Sequence, residues 1–465
     1  MSSRQYILFV ILSINILFSQ QWSSPINLGI AGIDDKYPQT CRVQQMWSNV
    51  LCLVWQVDQN NNWEIYSRFN HGFAWGDTVR ITNNPAADYR PSVVYDYHRN
   101  CFWCVWVRDG DIYVAYSISN TWSTPLRLTS DGALHNFPSI CFNHGDVWVA
   151  WERWEADSIN IYSCYYSGTS WSSLIPITND AGIHNTTPRI NMRYNHPFVV
   201  WNREGDIYFS EYINDVWETP QPVTTGPAND SVPDLACWDS YVGVSVCWQS
   251  DQDGNYEIYR TPFDTFNVHY RVTVHDSADI TPSPLLFQIP IRQYAPTIAF
   301  STNRNGNYDI YTWNEWQGFL AVDTNHAQDQ YPVMTADLQV YVWVLWQTDR
   351  NTDWDICGSY MYIPGGTEES KTCNQNYEFE IYPNPFSKST VISYSSLVIN
   401  DQLLLGSRGV MTNDLQCSAL RIYDATGSIV KSFSLPNAYS LLPTVIFWDG
   451  TDDSGNRVPA GIYFV

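Results

Sequence analysis

The sequence predicts an all-β chain: a seven-bladed β-propeller closed by an N-terminal strand, followed by a small C-terminal β-sandwich. Two observations carry the propeller. Three short markers recur seven times in a fixed order, and a fourth recurs six times inside that array while its seventh copy, Trp22/Leu28 in QWSSPINLG (21–29), precedes it. A third observation carries the second domain: past residue 363 the Trp-rich repeat stops and longer alternating strands begin.

The first marker is a polar residue three before a proline: Asp35/Pro38, Asp88/Pro91, His135/Pro138, Asn185/Pro188, Asp230/Pro233, Asp279/Pro282 and Asp329/Pro332. The second is an apolar run ending in Trp55, Trp106, Trp151, Trp201, Trp248, Phe300 or Trp346. The third is an acid or amide before an isoleucine: EIY at 64–66, DIY at 111–113, NIY at 160–162, DIY at 206–208, EIY at 257–259, DIY at 309–311 and DIC at 355–357. Repeats of roughly 50 residues with this content fit one four-stranded sheet each, the unit of a propeller. Turns such as NRNGN (303–307), between the second and third markers, are hairpin chemistry.

The fourth strand is marked by an aromatic residue and an aliphatic one six positions on: Trp75/Ile81, Trp122/Leu128, Trp171/Ile177, Trp217/Val223, Phe266/Val272 and Trp316/Val322. After the last third strand the chain instead enters IPGGTEESKTCNQN (363–376), a polar linker with no such pattern. Residues 21–28 are therefore expected to supply the outer strand of the last blade, since a closed ring leaves few exposed sheet edges. The repeated Trp and Tyr are expected to pack between blades, because one blade cannot bury its faces alone.

The net charge of −23 argues against nucleic acid as a partner, since phosphate binding requires a basic surface. The 11 cysteines are an odd number, so they cannot all pair within the chain, and spacing does not define which would. CFWC (101–104) resembles half a metal site, but its two thiols fall on opposite faces of a strand. Arg4 and the apolar run from Tyr6 to Phe18 read as a signal peptide over residues 1–20, shorter than the ~20 apolar residues that span a bilayer. No other stretch approaches that length, so the chain is expected to be exported and not an integral membrane protein. The domain limits that follow are 21–363 for the propeller, 364–376 for the linker and 377–465 for the C-terminal domain.

The repeats, above all STNRNGNYDIYTW (301–313), resemble TolB-like and sialidase-like propeller repeats over about residues 21–363. In the C-terminal segment, YPNPF (Tyr382, Pro383, Asn384, Pro385, Phe386), LRIYDATGSIV (420–430) and WDGTDDSGNRVPAGIYFV (448–465, with Trp448, Asp449, Gly450 and Gly461) look like the type A sorting domain of type IX secretion cargo and the related FlgD-like Ig domains. That resemblance implies an Ig-like β-sandwich, export by the Sec route, passage over the outer membrane by the type IX secretion machinery, and an extracellular or outer cell-surface location. Two departures accompany it. Residues 397–417 form an insertion before LRIY, and such domains continue with a further basic strand beyond the position of Val465, so the domain reads as truncated.

In a propeller, the hairpins between second and third strands and the connections between blades emerge on one face, where ligands bind. Asp58, Asp109, Asp251, Asp253 and Asp349 lie in the hairpins and form the candidate ligand-binding face; Asp35, Asp88, Asp230, Asp279 and Asp329 lie in the connections. Such a face attracts cations and repels polyanions. The connection set also fits turn capping, which its repetition around the ring favours. DQDGNYE places Asp251, Asp253, Asn255 and Glu257 at alternate positions about a glycine, like the start of a calcium loop. It lacks a distant bidentate acid, and a plain hairpin turn accounts for the same residues. No other cofactor is suggested.

Signals for catalysis are sparse. CYYSGTSW (164–171) keeps the Gly and Trp of a sialidase Asp-box loop but has Tyr166 in place of the Asp. WERWE (151–155) and WNRE (201–204) set Arg beside Glu in hairpin turns, where solvated pairs are the default. No Gly-x-Ser-x-Gly occurs, and the nine His show no i, i+4 pair. The residues favour an exported, non-catalytic binding module for a glycan or protein. The alternative is a secreted glycosidase or other hydrolase with a propeller active site, its residues scattered over several blades.

Overall fold

Each repeat folds because its second and third markers meet in register. Trp55 lies opposite Tyr66, Trp106 opposite Tyr113, Trp151 opposite Tyr162, Trp201 opposite Tyr208, Trp248 opposite Tyr259, Phe300 opposite Tyr311 and Trp346 opposite Cys357. Those seven second-strand aromatics are all essentially inaccessible to solvent. Cross-strand aromatic pairs of this kind are the unit of sheet stabilisation. The computed structural model describes residues 7–9, 22–42, 50–71, 74–143, 145–237, 243–286, 296–315, 318–336, 341–362, 377–382, 390–396, 419–424, 429–434, 444–459 and 462–464.

The chain forms two units, one of residues 20–363 and the other of residues 1–19 with 364–465. The first is the seven-bladed propeller. Blade 1 runs from Asp35–Arg42 through Val50–Asp58 and Trp63–His71 to Val79–Arg80, and blades 2 to 6 repeat this antiparallel order. Blade 7 is built from Asp329–Ala336, Tyr341–Thr348 and Asp355–Tyr362, with Ile26–Asn27 as its outer strand. Apolar clusters lie between neighbouring blades, and the thiols of CFWC take opposite sides: Cys104 joins the cluster shared with blade 1, Cys101 the one shared with blade 3. No disulfide joins any two of the described cysteines.

Ring closure follows the repeat atom for atom. Ile81, Leu128, Ile177, Val223 and Val272 each donate their N–H to the carbonyl of the third-marker isoleucine, and Leu28 donates to Ile356 at 2.7 Å in the same way. Leu28 is 1 % exposed, and the Trp22 indole donates to Thr312 of blade 6 at 3.3 Å. Two glycines let this strand come close. A Cβ on Gly358 would lie 2.8 Å from Leu345 Cδ2 and 2.9 Å from Leu28 Cδ1, and one on Gly29 would strike the Asp35 carboxylate. The outer strand is shorter than the six-residue marker spacing suggests, pairing over only two residues in most blades.

The connection residues Asp35, Asp88, Asp279 and Asp329 are fully buried and Asp230 nearly so, which corrects their assignment to a charged surface. All but Asp230 bind protein groups instead. Asp88 Oδ1 accepts the Trp106 indole N–H at 2.8 Å, as His135 and Asn185 accept those of Trp151 and Trp201. Asp88, Asp279 and Asp329 also bind Arg108, Arg304 and Arg350 from their own hairpins.

The second unit contains two sheets. One orders Ile7–Phe9, Ile462–Phe464, Ala419–Asp424 and Ile429–Ser434, the first two parallel; the other orders Tyr377–Tyr382, Thr390–Ser396 and Thr444–Trp448. Ile7–Phe9 lies inside the segment read as a signal peptide, so cleavage after residue 20 would remove this strand. The WDG motif is a bonded turn: the buried Trp448 donates to Thr451 O at 2.9 Å, and Asp449 Oδ1 accepts from Thr451 Oγ1 at 2.7 Å. Pro383, Asn384, Pro385, Phe386, Gly461 and the linker 364–376 lie outside the described residues.

Two outcomes follow for the ring. Leu28→Ala should destabilise the propeller by about 2–5 kcal/mol, the range for a buried leucine, read from the urea midpoint. Burial pushes the Asp35 carboxyl up to about 8, with Asp355 and Asp353 adding to the rise. The unfolded chain releases this proton near the ordinary carboxylate value while the folded chain keeps it, so unfolding releases a proton across that window. Stability should fall as pH rises from about 4 to 8. Asp35→Asn should flatten this slope in a Tm-against-pH series; an unchanged slope would refute the assignment.

Candidate functional site

The innermost strands of all seven blades enclose a central channel of about 540 Å³. At its mouth each strand carries the residue just before the marker proline: Tyr37, Arg90, Phe137, Thr187, Val232, Thr281 and Tyr331. All seven have positive φ, between 50° and 56°. A residue before proline normally stays extended, and a side chain with positive φ is strained by roughly 1–3 kcal/mol. The strain has a local cause. At every one of these positions the first strand bulges against the second, between Lys36 and Gln39 in blade 1 and at the matching sites elsewhere. The proline has no N–H to give the ladder, so the pair is expelled toward the channel.

Side chains from the neighbouring blade hold four of these bulges. Gln347, Gln56, Glu152 and Gln249, each next to its second-strand aromatic, accept the N–H groups of Tyr37, Arg90, Thr187 and Thr281 at 2.8–3.0 Å. Glu152 is the one carboxylate of this set. It is 1 % exposed and accepts the Trp154 indole on its second oxygen, so it is no solvated hairpin acid. Burial pushes its carboxyl up, opposed by the Thr187 N–H, Trp154 and the charge of Arg90.

The mouth is asymmetric. Over blades 7, 1, 2 and 3 it forms an arc of large flat groups: the Tyr331 and Tyr37 rings are 5.1 Å apart, and the Arg90 guanidinium lies 5.2 Å from the Tyr37 ring and 3.7 Å from the Phe137 ring. Thr187, Val232 and Thr281 form the other side. Among the arginines whose side chains are described, Arg90 alone has neither a carboxylate in salt-bridge range nor an acceptor for its guanidinium. Arg68 bonds carbonyls, Arg457 bonds Asp449 O, and the others pair with acids, as Arg153 does with Asp131 and Arg193 with Glu211 and Asp264. Deeper in the channel Arg189 sits 3.8 Å from Asp234, whose carboxyl burial pushes up while Arg189 and the Leu235 N–H oppose the rise.

The hairpin acids expected to make a binding face are spread over blades 1, 2, 5 and 7, and several tie down their own loops. Asp251 accepts the Asn229 N–H and Asp349 the Gln328 N–H, each at 2.7 Å; Asp58 is partly buried and Asp109 is an exposed turn residue with φ 51°. In the 251–257 loop, Asp253 binds the Tyr259 hydroxyl and Arg271. Glu257 is buried and accepts from Thr273, His275 N and Arg271, while the Asn255 amide donates to His275 O and Ser277 O. These oxygens meet donors of the hairpin and do not converge on a common point. Among the described residues no group of three or more His, Cys, Asp or Glu is arranged to hold a metal ion.

No family model matches the chain, and no curated protein does. Solved structures similar to it include a Dyadobacter fermentans protein of unknown function, with 9 % identity and TM-score 0.48 over 73 % of this chain and 99 % of that one. The NanB sialidase of Streptococcus pneumoniae has 10 % identity and TM-score 0.44 over 74 % and 71 %, and the Fusarium graminearum α-L-arabinofuranosidase Arb93A has 11 % and 0.43 over 73 % and 96 %. Likenesses at this level transfer no activity. Sequence reasoning missed Arg90, Glu152 and Asp234. The signal available was departure from the repeat: Arg90 and Glu152 stand at ring positions otherwise held by neutral residues, and Asp234 at one where only Arg189 is also charged.

Proposed function

We propose that the protein is an exported propeller that binds a saccharide bearing a carboxylate or similar anionic group at its channel mouth. The observation that carries this reading is Arg90, a guanidinium stacked on Phe137 with its N–H donors unclaimed by the protein. Its planar donor fork suits a carboxylate, and the Tyr331–Tyr37–Phe137 arc offers flat apolar surface to sugar rings. The strained mouth residues fit a preorganised site.

A second reading, a glycosidase or other hydrolase, is favoured by one observation: Asp234, a channel carboxyl kept up by burial beside Arg189, has the environment of a general acid. The binding reading is preferred because Glu152, a second acid raised by burial and placed behind the rim residue Thr187, is already occupied by the Thr187 N–H and the Trp154 indole.

Export by a type IX route, through an Ig-like sorting domain in the C-terminal unit, is part of the proposal. The YPNPF, LRIY and WDG motifs and the apolar N-terminal segment support it.

An array of neutral and uronate- or sialate-bearing glycans should give hits confined to the anionic set, and Arg90→Ala should weaken them about 10- to 100-fold, the worth of a charge-assisted bond. No anionic hit, or an unaffected Arg90→Ala, would sink the binding reading. Cleavage of a bound glycan that Asp234→Asn abolishes would establish the enzyme instead. N-terminal sequencing of secreted protein should return a start close to Gln21; an intact Met1 would contradict leader removal.

A further inference from the structure

Six of the seven blades place their own guanidinium over an aromatic ring of the second- and third-strand pair. Arg80 lies over Tyr66, Arg108 over Tyr113, Arg153 over Tyr162, Arg203 over Tyr208, Arg304 over Tyr311 and Arg350 over Trp346, with the Cζ to ring-centroid distance between 4.5 and 5.9 Å. Each of these guanidinium groups is also held by a carboxylate: Glu64, Asp88, Asp131, Asp180, Asp279 and Asp329 in turn. The combination of an aromatic face and an acid, buried in four of the six blades and partly exposed at Asp131 and Asp180, is the repeat's own recipe for a guanidinium.

Blade 5 keeps the recipe and lacks the arginine. Gln252 stands four residues after Trp248, where blades 6 and 7 have Arg304 and Arg350 four after their aromatics. Arg271 is drawn aside to Asp253 and Glu257, and no described guanidinium lies over Trp248 or Tyr259. A cavity of about 390 Å³ occupies the place, lined by Asp230, Trp248, Asp251, Gln252, Tyr259 and His269. The Asp230 side chain borders it at 6 % residue exposure, and no described side chain or backbone group donates to its carboxylate. Asp251, with one oxygen on the Asn229 N–H, adds a second negative group. Blade 1 shows the contrast: Asp35 also lacks a hairpin arginine, but its carboxylate takes the Ile30 N–H and Arg80 already covers the Tyr66 ring.

A carboxylate that borders a cavity with no protein donor on it favours a counter-ion there, and the one that fits this wall is planar and cationic. We infer that the pocket between blades 4 and 5 binds a guanidinium group, presented by an arginine side chain of a protein or peptide partner. The site is separate from the channel mouth and does not rest on the saccharide reading. Calcium suits it poorly, since hard cations take six or more oxygens and Trp248, Tyr259 and His269 make part of this wall aromatic.

The test is calorimetric titration of the full chain with N-acetylarginine amide, methylguanidine, N-acetyllysine amide and calcium chloride. Saturable binding of the arginine amide, at least tenfold tighter than the lysine amide, is expected. Asp230→Asn should weaken it at least tenfold with an unchanged circular dichroism spectrum. Gln252→Arg, which restores the internal arginine, should abolish binding and raise Tm, a readout that guards against a merely misfolded variant. Methylguanidine binding as tightly as the arginine amide would overturn the peptide source in favour of a small guanidine. Equal binding of lysine, binding of calcium alone, no binding at all, or a Gln252→Arg protein that binds and melts like the parent would each overturn the proposal.

Discussion

The molecule depends on the proline-forced bulge at the start of each innermost strand. In blades 2, 3 and 4 a buried polar knot precedes it: the residue three before the proline accepts the indole N–H of its own second strand, as Asp88 does from Trp106, His135 from Trp151 and Asn185 from Trp201. Two residues later the chain must bulge, because the proline cannot serve the ladder, and the residue before it is forced into positive φ. Seven such bulges set seven side chains around one opening. The rim of the channel is thus a mechanical consequence of a proline placed in each innermost strand.

Function, on this scaffold, sits where a blade departs from its sisters. Gln56, Gln249 and Gln347 show what the position after the aromatic does for the fold, so the carboxylate of Glu152 in the same role is the exception. Arg90 among neutral rim residues and Gln252 in place of a hairpin arginine are exceptions of the same kind. A repeat array supplies its own controls: six copies define the structural job, and the seventh shows what has been added or withheld.

Much of the fold could be read directly. The marker spacing located every blade, and the unmatched fourth strand identified residues 21–28 as the closing element, which the Leu28 to Ile356 bond repeats in detail. The candidate site was less legible. Acidic residues counted as surface charge turned out to be buried or tied to loops, because sequence shows a carboxylate but not the indole or guanidinium that comes to meet it from a distant strand. Asp279 and Arg304 are 25 residues apart in the chain and 3.3 Å apart in space. Nothing in the sequence marks Gly29 and Gly358 as close-approach glycines; the tertiary structure does, by setting Leu28 against Gly358 and Asp35 against Gly29.

Periodicity alone determined the number of blades, their order and the way the ring closes, since hydrophobic pattern and turn chemistry are local and recur with the repeat. Tertiary structure alone decided which side chains face the channel and which lack partners. Those properties are set by the approach of neighbouring blades: whether Arg90 finds an acid, whether Asp230 finds an arginine, and how far a channel wall strips water from Asp234. Contacts between blades are not periodic in any one copy, so the repeats that explain the ring leave its chemistry to the places where they fail.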